Sequence, residues 1–215
     1  MTKVRPARNT TRVLLVITML AATVFPAAAA PGTTPAAHAP AALLPVHGFA
    51  IVPGESSVVF AVPDNRGGFS GHTTRVTGTV VVEPEADGER YVAKIAGTVN
   101  ARTLTTDNPA RDRAMAATFL QTGTYPAITF SGTAAAQPGL GVRPFPAAIR
   151  GRLTIRAVTR DAAFTAMVTA LAHEYRADAT ATVRMADYGI PYPRAFIFVA
   201  RDPVTVTLRI VARAP

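Results

Sequence analysis

Between Tyr175 and Met185 the sequence alternates without a break: Tyr175, Ala177, Ala179, Ala181, Val183 and Met185 are apolar, and Arg176, Asp178, Thr180, Thr182 and Arg184 between them are polar. Successive side chains of a strand point to opposite faces, so an unbroken period of two marks a strand with one apolar and one solvated face. The period recurs along the chain. Val204, Val206, Leu208 and Ile210 alternate with Thr205, Thr207 and Arg209; Val58, Phe60 and Val62 share a face; Val76, Gly78, Val80 and Val82 oppose Thr77 and Thr79. Residues 91–101, 127–135, 148–157 and 162–171 complete a set of about eight antiparallel strands at hairpin-like spacing. Asp87 with Gly88, and Pro138 with Gly139, supply turns between them. Many short alternating strands with a single helix predict a sheet closed on itself, which also removes the edges that a Val- and Thr-rich sheet would expose. The expected fold class is all-β: an antiparallel eight-stranded β-barrel with one short helix between strands.

Arginines and threonines belong outside such a barrel, so the opposite residues face in. Gly78, Ala157, Ala177, Ala179 and Ala181 are then inward and small, whereas a solidly packed barrel needs bulky interior side chains. Two interiors follow. A long apolar ligand occupies the axis, or Phe49, Phe60, Phe130, Phe164, Phe196 and Phe198 fill it.

The first thirty residues stand apart from this pattern. Lys3, Arg5, Arg8 and Arg12 open the chain without an acidic residue, residues 13–25 are an apolar run, and residues 27–30 are small. That is the order of an export signal, and an apolar run of about 13 residues is short of the roughly 20 that span a bilayer. Residues 1–30 are expected to be cleaved on export to the periplasm or beyond, residues 31–46, rich in Ala and Pro, to form a flexible tether, and residues 47–215 to form one barrel domain. The chain has no cysteine, which excludes lipid attachment through one and a disulfide framework. Its formal charge of +9 falls to +5 once the four basic residues of the leader are removed. The remaining basic residues are scattered along strands and not interleaved with aromatics, so no nucleic-acid partner is expected; the mild positive balance suits transient contact with an anionic membrane surface.

The most distinctive stretch is residues 100–132. A Thr-rich segment (Thr103, Leu104, Thr105, Thr106) precedes Asn108 and Pro109, a capping residue followed by a proline suited to the first helical position. Arg111, Asp112, Met115, Phe119 and Leu120 follow, then Tyr125, Pro126 and a strand reaching Phe130. Further on stand Gly151, Arg152, Leu153, Thr154, Ile155 with Val158, Thr159, Arg160, and the block Asp187, Tyr188, Gly189, Ile190. This order of residues, from about His47 to Ala214, resembles the YceI family, lipocalin-like periplasmic proteins that bind polyisoprenoid lipids. The chain departs from the family pattern at Ala157, where many members have Gly, and in the loop 63–74. The resemblance implies a lipocalin-like barrel with a cavity, a quinone or polyprenyl phosphate as ligand, and transport or storage in the cell envelope. It supplies no catalytic residue. No cofactor is required, the partner is an amphipathic isoprenoid lipid, and a homodimer is left open.

The ligand-binding residues expected on these grounds are Phe60, Phe69, Arg111, Met115, Phe119, Tyr125, Phe130, Ile155, Phe164 and Tyr188. Arg111, Tyr125 and Tyr188 are the candidates for the head group, since guanidinium presents several fixed donors to oxygen. Arg111 also has a purely structural reading, alongside an Asp112 whose charge suits the first turn of a helix. Met115 and Phe119, four apart, share a helix face. The loop 63–74, with Arg66, Gly67, Gly68, Phe69, Ser70, Gly71 and His72, is expected to be a flexible rim with Phe69 closing over a ligand, or simply an exposed hairpin loop. It is neither a phosphate cradle, since no helix pattern follows, nor a Gly-x-Ser-x-Gly elbow. His38, His47, His72 and His173 lack metal-ligand spacing. Glu83, Glu85, Asp87 and Glu89 crowd one turn as a solvated cluster, and Asp187 is expected to fix a turn through its side chain. A lipid-acting enzyme in the same cavity would need a nucleophile drawn from Ser56, Ser57, Ser70 and Ser131; a structural barrel without ligand is the remaining alternative.

Overall fold

The computed structural model describes residues 47–85, 91–136, 141–171, 173–195 and 198–215. The export signal and tether expected over residues 1–46, and the turns expected at Asp87 with Gly88 and Pro138 with Gly139, lie outside them, as do Phe196 and the side chain of Phe198. The alternating segments form strands: β1 (His47–Ile51), β2 (Ser57–Val62), β3 (Phe69–Thr73), β4 (Val76–Pro84), β5 (Tyr91–Asn100), β6 (Ala127–Ala136), β7 (Gly141–Ile155), β8 (Val158–Ala170), β9 (Glu174–Val183), β10 (Arg194–Ala195), β11 (Phe198–Val199) and β12 (Val204–Arg213). The helix α1 (Pro109–Ala114) continues into a π-helical turn (Met115–Phe119) between β5 and β6. Among the described residues no helix is long and apolar enough to cross a membrane.

The main sheet runs β1-β4-β5-β6-β7-β8-β9-β12 and closes by pairing β12 with β1, an antiparallel barrel of eight strands as expected. Two further strands complete it. β2 lies beside the first part of β12, from Thr205↔Ala61 to Arg209↔Ser57, and β1 beside its end, at Ile51↔Ala212. Between them Ser56, fully buried, donates its hydroxyl to the carbonyl of Val211 and accepts from the Val211 amide. A side chain thus satisfies backbone groups that the step from one strand to the other would orphan. β3 was not expected: the loop 63–74 is the turn and second strand of a hairpin, with Phe69 paired to Val62 and Thr73 to Val58. Its sequence FSGHT has no apolar alternation to read, because of the three residues that share its inward face, Phe69, Gly71 and Thr73, only Phe69 has a large apolar side chain.

Residues directly opposite in an antiparallel pair share a face, and the register carries the expected inward set around the barrel: Leu208 opposite Ala179, Val206 opposite Ala181, Val80 opposite Ile95, Ile149 opposite Phe164. Two inward assignments change. Ala157 is exposed in the two-residue turn between β7 and β8, beside Arg156 in the left-handed region (φ 57°). Gly78 (φ 149°) marks a close approach of strands and not open space, since a Cβ there would fall 2.0 Å from the carbonyl oxygen of Ala96. The end of the barrel away from the helix is shut by Phe49, whose ring meets Tyr175 edge-on at 4.7 Å, with Ala212 beneath them.

Candidate functional site

At the helix end the barrel contains a cavity of about 1330 Å³, beyond the ~300–1,000 Å³ typical of sites for drug-sized ligands. Its wall is made of the inward residues just described, from Ile51, Val58 and Ile210 at depth to Val62, Ile155 and Val204 near the mouth. No described side chain larger than serine is fully buried. The interior apolar side chains pack in clusters along the wall and also border open space, so among the described residues the hollow interior is the one observed.

The phenylalanines explain how the axis stays clear. β6 and β7 meet at Gly132 opposite Gly151, and the Phe130 ring lies over the pair: a Cβ on either glycine would come within 2.8 Å and 2.7 Å of the ring's Cζ. Phe60 covers Gly71 in the same way, with its Cζ 2.3 Å from where a Cβ would stand. Rings folded flat against glycine in the wall do not fill the barrel. Phe164 contacts Phe130 with centroids 5.7 Å apart, and Phe49 closes the far end.

The helix is held over the mouth by the residues that made its sequence distinctive. The side-chain oxygen of Asn108 accepts from the amides of Ala110 (3.1 Å) and Arg111 (3.0 Å), and Pro109 occupies the first turn. Asp112 does more than complement the helix dipole. It accepts from the Thr105 hydroxyl (2.7 Å), the Thr106 hydroxyl (2.6 Å) and the Thr106 amide (2.8 Å), tying α1 to the segment after β5 that pairs with His72 of β3. Burial pushes its carboxyl pKa up, but the bonds from Thr106 and Thr105 outweigh burial and hold it below the usual value. Ala110, Arg111, Ala114, Met115, Thr118 and Phe119 then present one face to the cavity. The guanidinium of Arg111 lies over the Phe69 ring at 4.4 Å, a cation–π contact bridging helix and rim.

On the opposite rim, a short 3₁₀ turn (Ala186–Tyr188) ends at Gly189 in the left-handed region (φ 64°) and buries Tyr188 to 5% exposure; this burial raises the Tyr188 pKa. Among the described residues the Asp187 side chain makes no hydrogen bond to this turn. Asp202 holds it, accepting from the Met185 amide (2.8 Å) and the Tyr192 hydroxyl (2.9 Å), while Arg160 and Arg156 donate to the carbonyls of Asp187 (3.0 Å) and Gly189 (2.9 Å).

Phe60, Phe69, Arg111, Met115, Phe119, Phe130, Ile155, Phe164 and Tyr188 all line the cavity. Tyr125 does not: it sits in the turn that returns the chain from the helix to β6, its amide bonded to the carbonyl of Gln121. Sequence reasoning missed Arg66, Arg160, Arg184 and Arg194, which also line the cavity. For Arg160 the signal was present, since it stands in phase with Ala162 and Phe164 on β8. Among the described residues no serine hydroxyl is bonded to a histidine or carboxylate, and no group of three His, Asp or Glu side chains is placed to hold a metal ion. His72 and His173 are exposed.

Comparison with known proteins gives a consistent result. The YceI-like domain model matches residues 49–212. A polyisoprenoid-binding domain from Saccharophagus degradans is similar in structure at a TM-score of 0.62 and 15% identity, covering 78% of this chain and 98% of that one. Burkholderia cenocepacia BcnA is similar at 0.58 and 14% identity, covering 75% and 98%. No curated protein sequence matches significantly.

Proposed function

The chain belongs to the YceI-like family, and from that premise we propose that it is an exported, non-enzymatic carrier that holds a polyisoprenoid or quinone-like amphipathic lipid in the barrel, for transport or storage in the cell envelope. The observation that carries this reading is the hollow interior, about 1330 Å³ bordered by apolar wall. The mechanism is burial. An apolar tail gains about 0.8 kcal/mol per methylene removed from water, so a long chain binds well with few polar contacts. The head group stays at the mouth, where Arg111 and Tyr188 stand. The lipid named for the Saccharophagus degradans domain supports the class of ligand, and the basic, apolar and small-residue order of the first thirty residues supports export.

Native mass spectrometry of the protein purified from its own host envelope, followed by organic extraction, tests this. A stoichiometric isoprenoid or quinone is expected. A protein that carries nothing and also refuses added polyprenyl lipids refutes it.

A further inference from the structure

The barrel wall is incomplete on one side. β8 and β9 pair from Ala170↔Tyr175 to Ala166↔Ala179 and no further, although β8 continues back to Val158 and β9 on to Val183. Toward the mouth the two strands part and leave a slot. Residues that alternation turns outward, Asp161 and Ala163 on β8, Thr182 on β9 and Arg184 just beyond it, accordingly line the cavity through it. Arg160 on β8 and Arg194 on β10 line the same space.

The charge around this opening is one-sided. Five guanidinium groups, Arg66, Arg111, Arg160, Arg184 and Arg194, line the cavity against two carboxylates, Asp161 and Asp187. At the other end three arginines are paired with carboxylates: Arg213 is bound to Glu55 (2.6 Å) and Glu174 (2.7 Å), Arg176 to Glu174, and Arg209 to Asp178 (3.2 Å). None of the five cavity arginines makes an ion pair with a described residue. The nearby carboxylates serve the chain itself, Asp112 its threonines and Asp202 the Met185 amide and Tyr192. Unneutralised guanidinium groups beside a low-dielectric cavity concentrate field at its entrance, and their fork geometry matches phosphate or carboxylate oxygens.

Resting on the lipid-carrier reading, we propose that the arginines of the mouth and of the slot between β8 and β9 hold an anionic head group of phosphate type, so that the cargo is a prenyl phosphate and not a neutral quinone. The slot gives such a head group contact with solvent and with guanidinium while its tail runs into the apolar barrel. The side chains of Arg184 and Arg194 are exposed and make no hydrogen bond to a described residue, so they are free to turn toward the ligand.

Calorimetric titration with geranylgeranyl monophosphate, geranylgeraniol and inorganic phosphate tests the assignment on the unaltered protein. The monophosphate is expected to bind about tenfold or more tighter than the alcohol of equal length, since one charge-assisted contact is worth roughly that factor. This advantage should shrink with added salt. In the double variant Arg184→Ala, Arg194→Ala the monophosphate should weaken about tenfold while the alcohol is unchanged. Equal binding of monophosphate and alcohol overturns the head-group assignment and leaves the carrier reading standing. Inorganic phosphate binding as tightly as the monophosphate also overturns it, since the site would then serve a free anion. Binding of neither lipid refutes the carrier reading and the proposal with it.

Discussion

Gly151→Ala asks whether the Phe130 ring really lies on the wall. A methyl there would stand 2.3 Å from the Ser131 carbonyl oxygen, 2.6 Å from the Gly132 Cα and 2.7 Å from the Phe130 ring. Two of these neighbours are backbone and cannot rotate away, so β6 and β7 must separate locally while the ring is lifted off the wall. Overpacking of this kind costs typically about 1–3 kcal/mol, and two backbone clashes place this case near the upper end. For a domain of this size that is a fall in Tm of roughly 6–12 °C. The matched control is Gly97→Ala, also on the cavity wall, where a Cβ meets nothing within 4 Å. That change should be neutral or stabilise by up to about 1 kcal/mol, because alanine restricts the unfolded chain more than glycine does. Urea denaturation of the two variants reads the difference directly. Equal stability of Gly151→Ala and the parent refutes the ring-over-glycine packing of Phe130, and with it the explanation of how that ring leaves the axis open.

Ala179→Trp projects an indole into the cavity from the wall; if it displaces about four methylene groups of the tail, lipid affinity falls by ~3 kcal/mol, about a hundredfold, beyond the loss of stability of about 1–3 kcal/mol that overpacking brings. Lipid titration and a melting curve on the same sample check this, and undiminished affinity means that the tail does not reach Ala179. Asp112→Asn should cost about 1 kcal/mol at neutral pH, a figure discounted for its partial exposure. Because the folded pKa of Asp112 is depressed, its contribution is complete above the unfolded value of ~3.9 and is lost as pH falls through the folded value. Denaturation at pH 7 and near pH 2 should therefore show the gap between variant and parent narrowing in acid, and a gap independent of pH shows that the carboxylate is not what holds the threonines.

The barrel was legible because period two survives wherever one face meets a cavity and the other meets water; β9 and β12 display it along nearly their whole length. β3 was not legible, because Ser70, Gly71 and His72 are chosen for backbone pairing and for the Phe60 ring above Gly71, neither of which leaves a hydrophobic pattern. The helix cap was written in Asn108 and Pro109, and the motif around it in Thr105, Thr106 and Asp112. What those residues do to each other was not, since a bond between side chains six or seven apart needs the turn at Asp107, with φ 58°, to bring them together. The same limit applies to the site. Nine of the ten residues expected to bind ligand line the cavity; for Phe60, Phe130, Ile155 and Phe164 inwardness follows from alternation, and for Met115 and Phe119 from helical spacing. The arginines at the opening escaped because alternation marks Arg184 as outward. It lines the cavity only because β8 and β9 part beyond Ala166 and Ala179, and a gap in pairing between strands has no signature in either strand's own sequence. A period of two thus reports which way a residue points, and the strand register decides whether outside is also the way in.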